Sequence, residues 1–211
     1  MERITRSRLM KKFTDLSLRQ YLEELSSSQP VPGGGSVSAY TASLAMGLTL
    51  MVGRVALGRK IKAGLSPEDE KKEKTNRELI QKILDAISKT QQDAFQIVDL
   101  DPEVFNQIMA ISADDAKMEA ALHNSFRLQA DLALLVVMAR EWNQEMFGAI
   151  KGSIKNDLLV AASLYEAAYY GAHHTAMINV KYMKDPSGKQ HAEEALQKLQ
   201  ERFNQGSAHV H

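Results

Sequence analysis

Gln29-Pro30-Val31-Pro32-Gly33-Gly34-Gly35-Ser36-Val37-Ser38-Ala39 changes character within a few residues: three consecutive glycines give way to a run without charge from Val37 to Gly53. Glycine lets the backbone approach a neighbour without a Cβ, and a helix that follows begins with unpaired N–H groups and a partial positive charge. The stretch reads as a glycine-rich loop pinned against a helix start, a place that favours anions. It is neither the GxGxxG of dinucleotide sites nor the GxxxxGK[ST] of phosphate loops, and no strand-like run precedes it. The plain alternative is a turn that only redirects the chain. The uncharged run is about 17 residues long, short for a membrane span and interrupted by Ser38, Thr41, Ser43 and Thr49. Its Ala, Gly and Ser content suits a helix packed on several sides in the middle of a bundle.

Outward from this stretch, helix signals recur and strand signals do not. Ser17-Leu18-Arg19-Gln20 is a capping box that opens a short helix to about Leu25. The central helix is expected from about Val37 to Leu57, with Gly58 as its stop. Ser66-Pro67-Glu68-Asp69 supplies an N-cap, a proline at the first helical position and acids in the first turn. A long helix should follow to about Val98, with Leu79, Ile83, Ala86 and Ile87 on one stripe. Pro102 is expected to break the chain and leave a short helix from Glu103 to Ala110. Ser112 and Asp115 mark a capping position for the next helix, Ala113 to Phe147, whose Leu132-Ala133-Leu134-Leu135-Val136-Val137-Met138 run is apolar on every face. Asn156 is read as the cap of a helix to about Met183, stopped by Asp185-Pro186-Ser187-Gly188, and a charged surface helix covers Gln190 to Phe203. The expected architecture is an all-α multi-helix bundle over residues 17–203, with an N-terminal extension 1–16 and a disordered tail 204–211. The all-apolar run also predicts a homodimer, joined through apolar helices.

Bulk properties exclude several function classes. At 211 residues the chain suits one domain that buries a core without disulfides or metals. Lys plus Arg and Asp plus Glu number 26 each, so no summed field draws the chain to nucleic acid or to a membrane surface. The absence of cysteine removes thiol nucleophiles, cysteine-bound zinc and disulfides, and points to a cytoplasmic protein. The N-terminus, charged from Arg3 to Lys12, lacks the apolar core of a secretory signal. His173 and His174 are adjacent on a helix and point about 100° apart, so spacing gives no metal site. His173 suits a proton carrier, whereas His209 and His211 fall in the tail.

The segment Ser27 to Ala39, followed by Met51-Val52-Gly53 and Gly58-Arg59-Lys60, resembles the start of the cyclodeaminase domain of the formiminotransferase-cyclodeaminase family. That domain opens with a Ser-rich Pro-Gly-Gly-Gly-Ser stretch, a small-residue helix and a Gly-basic-basic exit. Val98-Asp99-Leu100-Asp101-Pro102-Glu103-Val104-Phe105 is similar to the family's Asp-x-Asp-x-x-x-Phe segment. Asn156-Asp157-Leu158, Ala161-Ala162, Gly171-Ala172 and Ile178-Asn179-Val180 follow in the family's order, so the resemblance spans residues 17 to 185. It implies a stand-alone, helical cyclodeaminase-type protein that pairs into homodimers with sites near the subunit boundary. The implied substrate is a tetrahydrofolate derivative, with or without a polyglutamate tail, and no metal or redox cofactor is needed. The implied reaction is that of a formimidoyltetrahydrofolate cyclodeaminase, forming 5,10-methenyltetrahydrofolate and ammonia. Two alternatives stay open: a methenyltetrahydrofolate cyclohydrolase, and a non-catalytic folate-binding or assembly protein. Departures from the family pattern at Lys62, Ser153, Asn156 and Thr175 motivate the last.

By the same resemblance Asp101 is the acid/base group and Asp99 the fallback. Two residues apart on a helix, they point about 200° from each other, and Pro102 is expected to force Asp101 out of helical geometry. Asp101 equally suits a cap for the helix after it. Pro32, Gly33, Gly34, Gly35 and Ser36 are implied to bind substrate, with Arg59 and Lys60 reaching the glutamate tail of folate and Asp157 and Asn179 completing the site. Arg59 and Lys60 also read as a solvated helix end, and Asp157 as favourable charge at a helix start. A buried Asn179 needs hydrogen-bond partners, either side chains or the pterin ring.

Overall fold

The computed structural model of the chain describes residues 12–61, 63–112 and 117–205. Among them, a 3₁₀ turn at Phe13–Asp15 precedes six helices: α1 Leu18–Leu25, α2 Gly34–Gly58, α3 Pro67–Met109, α4 Lys117–Ala149, α5 Lys155–Tyr182 and α6 Pro186–Gln205. Helices α2 to α5 form an up-down bundle in which each packs on its sequence neighbours and α5 closes back on α2, while α6 lies against α4 and α5. Two helix starts follow the sequence signals directly. Gln20 N donates to Ser17 Oγ at 3.3 Å and Ser17 N to Gln20 Oε1 at 3.0 Å, while Asp69 N donates to Ser66 Oγ at 3.2 Å ahead of Pro67.

The glycine stretch is not a loop: Gly33 is the N-cap and Gly34, Gly35 and Ser36 form the first turn of α2. Nor does Pro102 end α3, which continues unbroken from Pro67 to Met109. A proline inside a helix removes its own N–H and strands the carbonyl four residues earlier. That carbonyl belongs to Val98, and it accepts a hydrogen bond from Ser36 Oγ at 2.8 Å. With the lost partner supplied by a neighbouring helix, Pro102 is buried in an intact α3. Asn156 is not a cap: Ile154 takes that place and Asn156 lies in the first turn of α5. Asp185-Pro186 ends α5 and also begins α6, because Asp185 Oδ2 accepts from Gly188 N at 2.7 Å and a proline fits the first helical position. Helix α6 is mostly exposed but buries Ala192, Leu196 and Phe203, and it includes Asn204 and Gln205. The extension through residue 11, Lys62, Ala113 to Ala116 and the tail from residue 206 lie outside the described residues.

Helix α2 is long and apolar enough to cross a membrane, but here it packs against α3 and α5, with Ala39, Ala42 and Ala45 fully buried. Small residues set its spacing from α5. A Cβ built on Gly171 would lie 2.2 Å from Ser38 Oγ, so the two helices meet where α5 has no side chain. Deeper in, Thr49 Oγ1 lies 2.9 Å from Asn143 Oδ1 and 3.1 Å from Tyr165 OH, and Asn143 Nδ2 donates to Leu158 O at 3.0 Å. This polar contact bolts α2, α4 and α5 together, and burial holds the Tyr165 phenol above its ordinary pKa. The Leu132–Met138 run lies inside the same chain: Leu132, Ala133, Val136 and Val137 are buried. The exposed large apolar residues lie elsewhere, among them Leu44, Met51 and Val55 on α2 and Leu159 and Val160 on α5.

Gly171→Ala should cost about 1–3 kcal/mol through overpacking against Ser38, despite alanine's better helix propensity. Chemical denaturation should show that loss, and Ser38→Gly in the same chain should restore part of it.

Candidate active site

Asp101 projects from α3 to the start of α2. Its Oδ2 accepts the Ser36 N–H at 3.0 Å, one of the donors that a helix start leaves unpaired and that Gly33 has no side chain to satisfy. Its Oδ1 accepts from Gln129 Nε2 of α4 at 2.8 Å. The anion favoured at this helix start is therefore the protein's own carboxylate. Gly35 makes the approach possible, since a Cβ there would sit 2.1 Å from Asp101 Oδ1 and 2.3 Å from Gln129 Nε2. Burial pushes the Asp101 carboxyl above its usual pKa, and outweighs the opposing pull of the Ser36 N–H and the Gln129 amide. Asp101 as a residue is half-buried.

Asp99 does different work. Its Oδ1 accepts from Phe13 N at 2.6 Å and Thr14 N at 3.2 Å, and its Oδ2 accepts from Thr14 Oγ1 at 2.6 Å. It anchors the 3₁₀ turn to α3, which leaves Asp101 as the carboxylate facing the helix start. Both aspartates keep helical geometry and their separation comes from helix rotation alone. Tyr21 of α1 completes the surroundings, with its hydroxyl 3.1 Å from Ser36 Oγ. The Ser36 hydroxyl proton is committed to Val98 O, so Tyr21 donates. Burial raises the Tyr21 phenol, as do the nearby charges of Asp101 and Asp99.

Helix α5 borders the same end of the bundle. An added Cβ on Gly34 would meet Thr175 Oγ1 at 3.6 Å, and one turn further on the buried Asn179 donates from Nδ2 to Thr175 O at 3.0 Å. Gly33, Gly34, Gly35, Ser36, Asp101 and Asn179 are thus gathered at one end, with Pro32 leading into it. Arg59, Lys60 and Asp157 are not. Arg59 lies roughly 36 Å from Gly35 along α2, and Asp157 lies roughly 27 Å from Thr175 along α5, both at the rise of an α-helix. Arg59 donates from Nη1 to Lys151 O at 3.1 Å and, with Lys60, lines a cleft of about 330 Å³ between the far ends of α2 and α4. Within one chain these three residues cannot hold a monoglutamyl folate seated at Asp101. His173 sits beside the Tyr169 ring, 5.9 Å between centroids, and Tyr169 stacks on Phe203 of α6, so this histidine belongs to the α5–α6 packing. Gln129 is a site residue that sequence reasoning missed, because a lone glutamine in an apolar helix carries no pattern.

The family model described as formiminotransferase-cyclodeaminase matches residues 17–198. The chain belongs to that family. It is 29% identical to formimidoyltransferase-cyclodeaminase of Mus musculus over 88% of this chain and 34% of the mouse protein. The Gallus gallus protein of the same name is 25% identical over 92% of this chain and 36% of its own length. The chain thus spans about a third of these relatives. The crystal structure of formiminotetrahydrofolate cyclodeaminase from Thermotoga maritima superposes with a TM-score of 0.81 at 20% identity, covering 91% of this chain and 92% of that one. The family's helical fold is therefore shared throughout the bundle.

The two aspartates should separate in stability measurements. Folding raises the Asp101 pKa, so the folded state binds that proton more tightly than the unfolded chain does. Stability is then lost as pH rises from the ordinary carboxylate range through the raised value. Asp101→Asn should melt at or above the parent's temperature at pH 7, and the difference should vanish in acid. Asp99→Ala should instead lose about 1–3 kcal/mol at pH 7, because three donors of the N-terminal turn lose their acceptor.

Proposed function

We propose that the protein is a formimidoyltetrahydrofolate cyclodeaminase, with Asp101 as the group that carries the proton. The observation that supports this reading is the placement of Asp101: half-buried, weakened as an acid, and held by the Ser36 N–H and Gln129 on a helix start cleared of side chains by Gly34 and Gly35. A general base works best when its pKa is drawn toward the working pH, and burial moves Asp101 in that direction. Starting from the protonated formimino group on N5, N10 attacks the formimino carbon and forms the second C–N bond. Asp101 takes the proton from N10, leaving a neutral tetrahedral carbon between the two ring nitrogens. It returns that proton to the departing nitrogen, the C–N bond to ammonia breaks, and 5,10-methenyltetrahydrofolate is left. The carboxylate is regenerated, and the balance requires no other reactant.

Folate tails carry carboxylates, and the cations that suit them, Arg59 and Lys60, are at the far end of the same chain. A homodimer gives the substrate a second set of surfaces, and the exposed apolar residues of α2 and α5 give the second copy a face to cover. Of the apolar run of α4, Leu132, Ala133, Val136 and Val137 are buried within the chain and Leu134, Leu135 and Met138 are partly exposed.

Turnover is tested by adding purified protein to 5-formiminotetrahydrofolate and following methenyl absorbance and ammonia together. Both should rise in equal amounts. Asp101→Asn should lower turnover by about 10²- to 10⁴-fold with substrate binding affected far less. Product formed by Asp101→Asn at more than a tenth of the parental rate sinks the assignment. Sedimentation should show no dominant 23.5 kDa species for the parent, and Met51→Glu should produce one.

A further inference from the structure

Gln129 is wholly buried on α4, and the two ends of its amide are treated unequally. Nε2 donates to Asp101 Oδ1 at 2.8 Å, whereas Oε1 is buried without a hydrogen-bond partner among the described residues. A buried amide oxygen left unpaired is rare and unfavourable. Asp101 is the neighbour whose hydrogen-bonding character changes: ionised it only accepts, and protonated it gains an O–H donor. Each carboxyl oxygen already accepts an N–H, Oδ2 from Ser36 and Oδ1 from Gln129, but of the two donors only the Gln129 amide can turn, so the proton is accommodated on Oδ1. There it would meet the Nε2 N–H, donor against donor. Half a turn of the amide exchanges its nitrogen and oxygen in nearly the same volume and converts that clash into an O–H···Oε1 bond.

We propose that the Gln129 amide is a two-position partner of Asp101, donating through Nε2 to the carboxylate and accepting through Oε1 from the carboxylic acid. Asp101 then stays in one place while its proton arrives from the substrate and leaves for the departing nitrogen. Gln129 is in this sense a positioning residue, and its role in turnover rests on the reading of Asp101 as the proton carrier. The pair lies directly over the bare backbone at Gly35, where a Cβ would displace both groups. Around it, α2 presents the Ser36 N–H and α1 the Tyr21 phenol, which senses the charge on Asp101 and Asp99. On α3 itself, Asp99 is turned to Phe13 and Thr14. Ser36 and Gln129 do not titrate, and the raised Tyr21 phenol stays protonated through the carboxylate range.

The test is a pH titration of the full chain, labelled with ¹³C and ¹⁵N and free of substrate. The Asp101 carboxyl carbon is assigned by its loss in Asp101→Asn, and the Gln129 side-chain amide by its loss in Gln129→Met. The Gln129 resonances should move with the same midpoint as Asp101, and this response should disappear in Asp101→Asn, whose amide donates at every pH. Turnover of Gln129→Met should fall at least about tenfold with KM within about threefold. Gln129→Glu, which both donates and accepts while it holds a proton, should exceed Gln129→Met at acidic pH and lose that advantage as pH rises. Gln129 resonances that stay still while Asp101 titrates overturn the proposal, as does parental turnover in Gln129→Met. If the amide follows Asp101 but the parent turns over no folate, the folate reading falls and the two-position pair stands.

Discussion

Ser36 joins three helices through the atoms of one residue. Its N–H holds Asp101 of α3, its hydroxyl donates to the Val98 carbonyl that Pro102 leaves without a partner, and the same oxygen accepts from Tyr21 of α1. Each contact fills a need that arises elsewhere in the chain: an uncapped helix start, a proline in mid-helix, and a buried phenol. A buried polar group without a partner costs about 1–3 kcal/mol. These hydrogen bonds help to fix the register of α2 against α3.

The same contacts place opposing influences on one carboxyl group. The positive end of α2, the Ser36 N–H and the Gln129 amide all favour the ionised form, while burial favours the neutral one. Burial prevails, and the carboxyl holds its proton to higher pH than a solvated aspartate does. Asp99, two residues away, is surrounded by donors from a different segment and serves to hold the N-terminal turn. One helix thus carries two aspartates with different partners on different faces.

Most of the architecture was legible in the sequence because helix starts and stops are local. Ser17 with Gln20 and Ser66 with Pro67 act within a single turn, and the structure uses both, while Gly58 becomes the last residue of α2 with Arg59 as its cap. What was not legible depends on partners distant in the chain. Pro102 looks like a helix breaker until Ser36, from another helix, supplies the missing hydrogen bond. The glycine triplet looks like a loop until Asp101 accepts the Ser36 N–H of its first turn. Gln129 is visible only after α4 has been laid beside α3. Arg59, Lys60 and Asp157 lie near the site in no single chain, since a linear pattern does not report that two antiparallel helices carry its ends to opposite poles.

The Ser38–Gly171 contact lies within a turn of Ser36, and it sets how closely α5 can press on the start of α2. Widening that gap by one methyl group would tilt the first turn of α2 and with it the N–H that holds Asp101, while water would enter beside the carboxyl. The distance between two helix backbones is therefore also a setting of acid strength. Substitutions among these small residues would be felt in the Asp101 carboxyl as well as in the packing of α2 on α5.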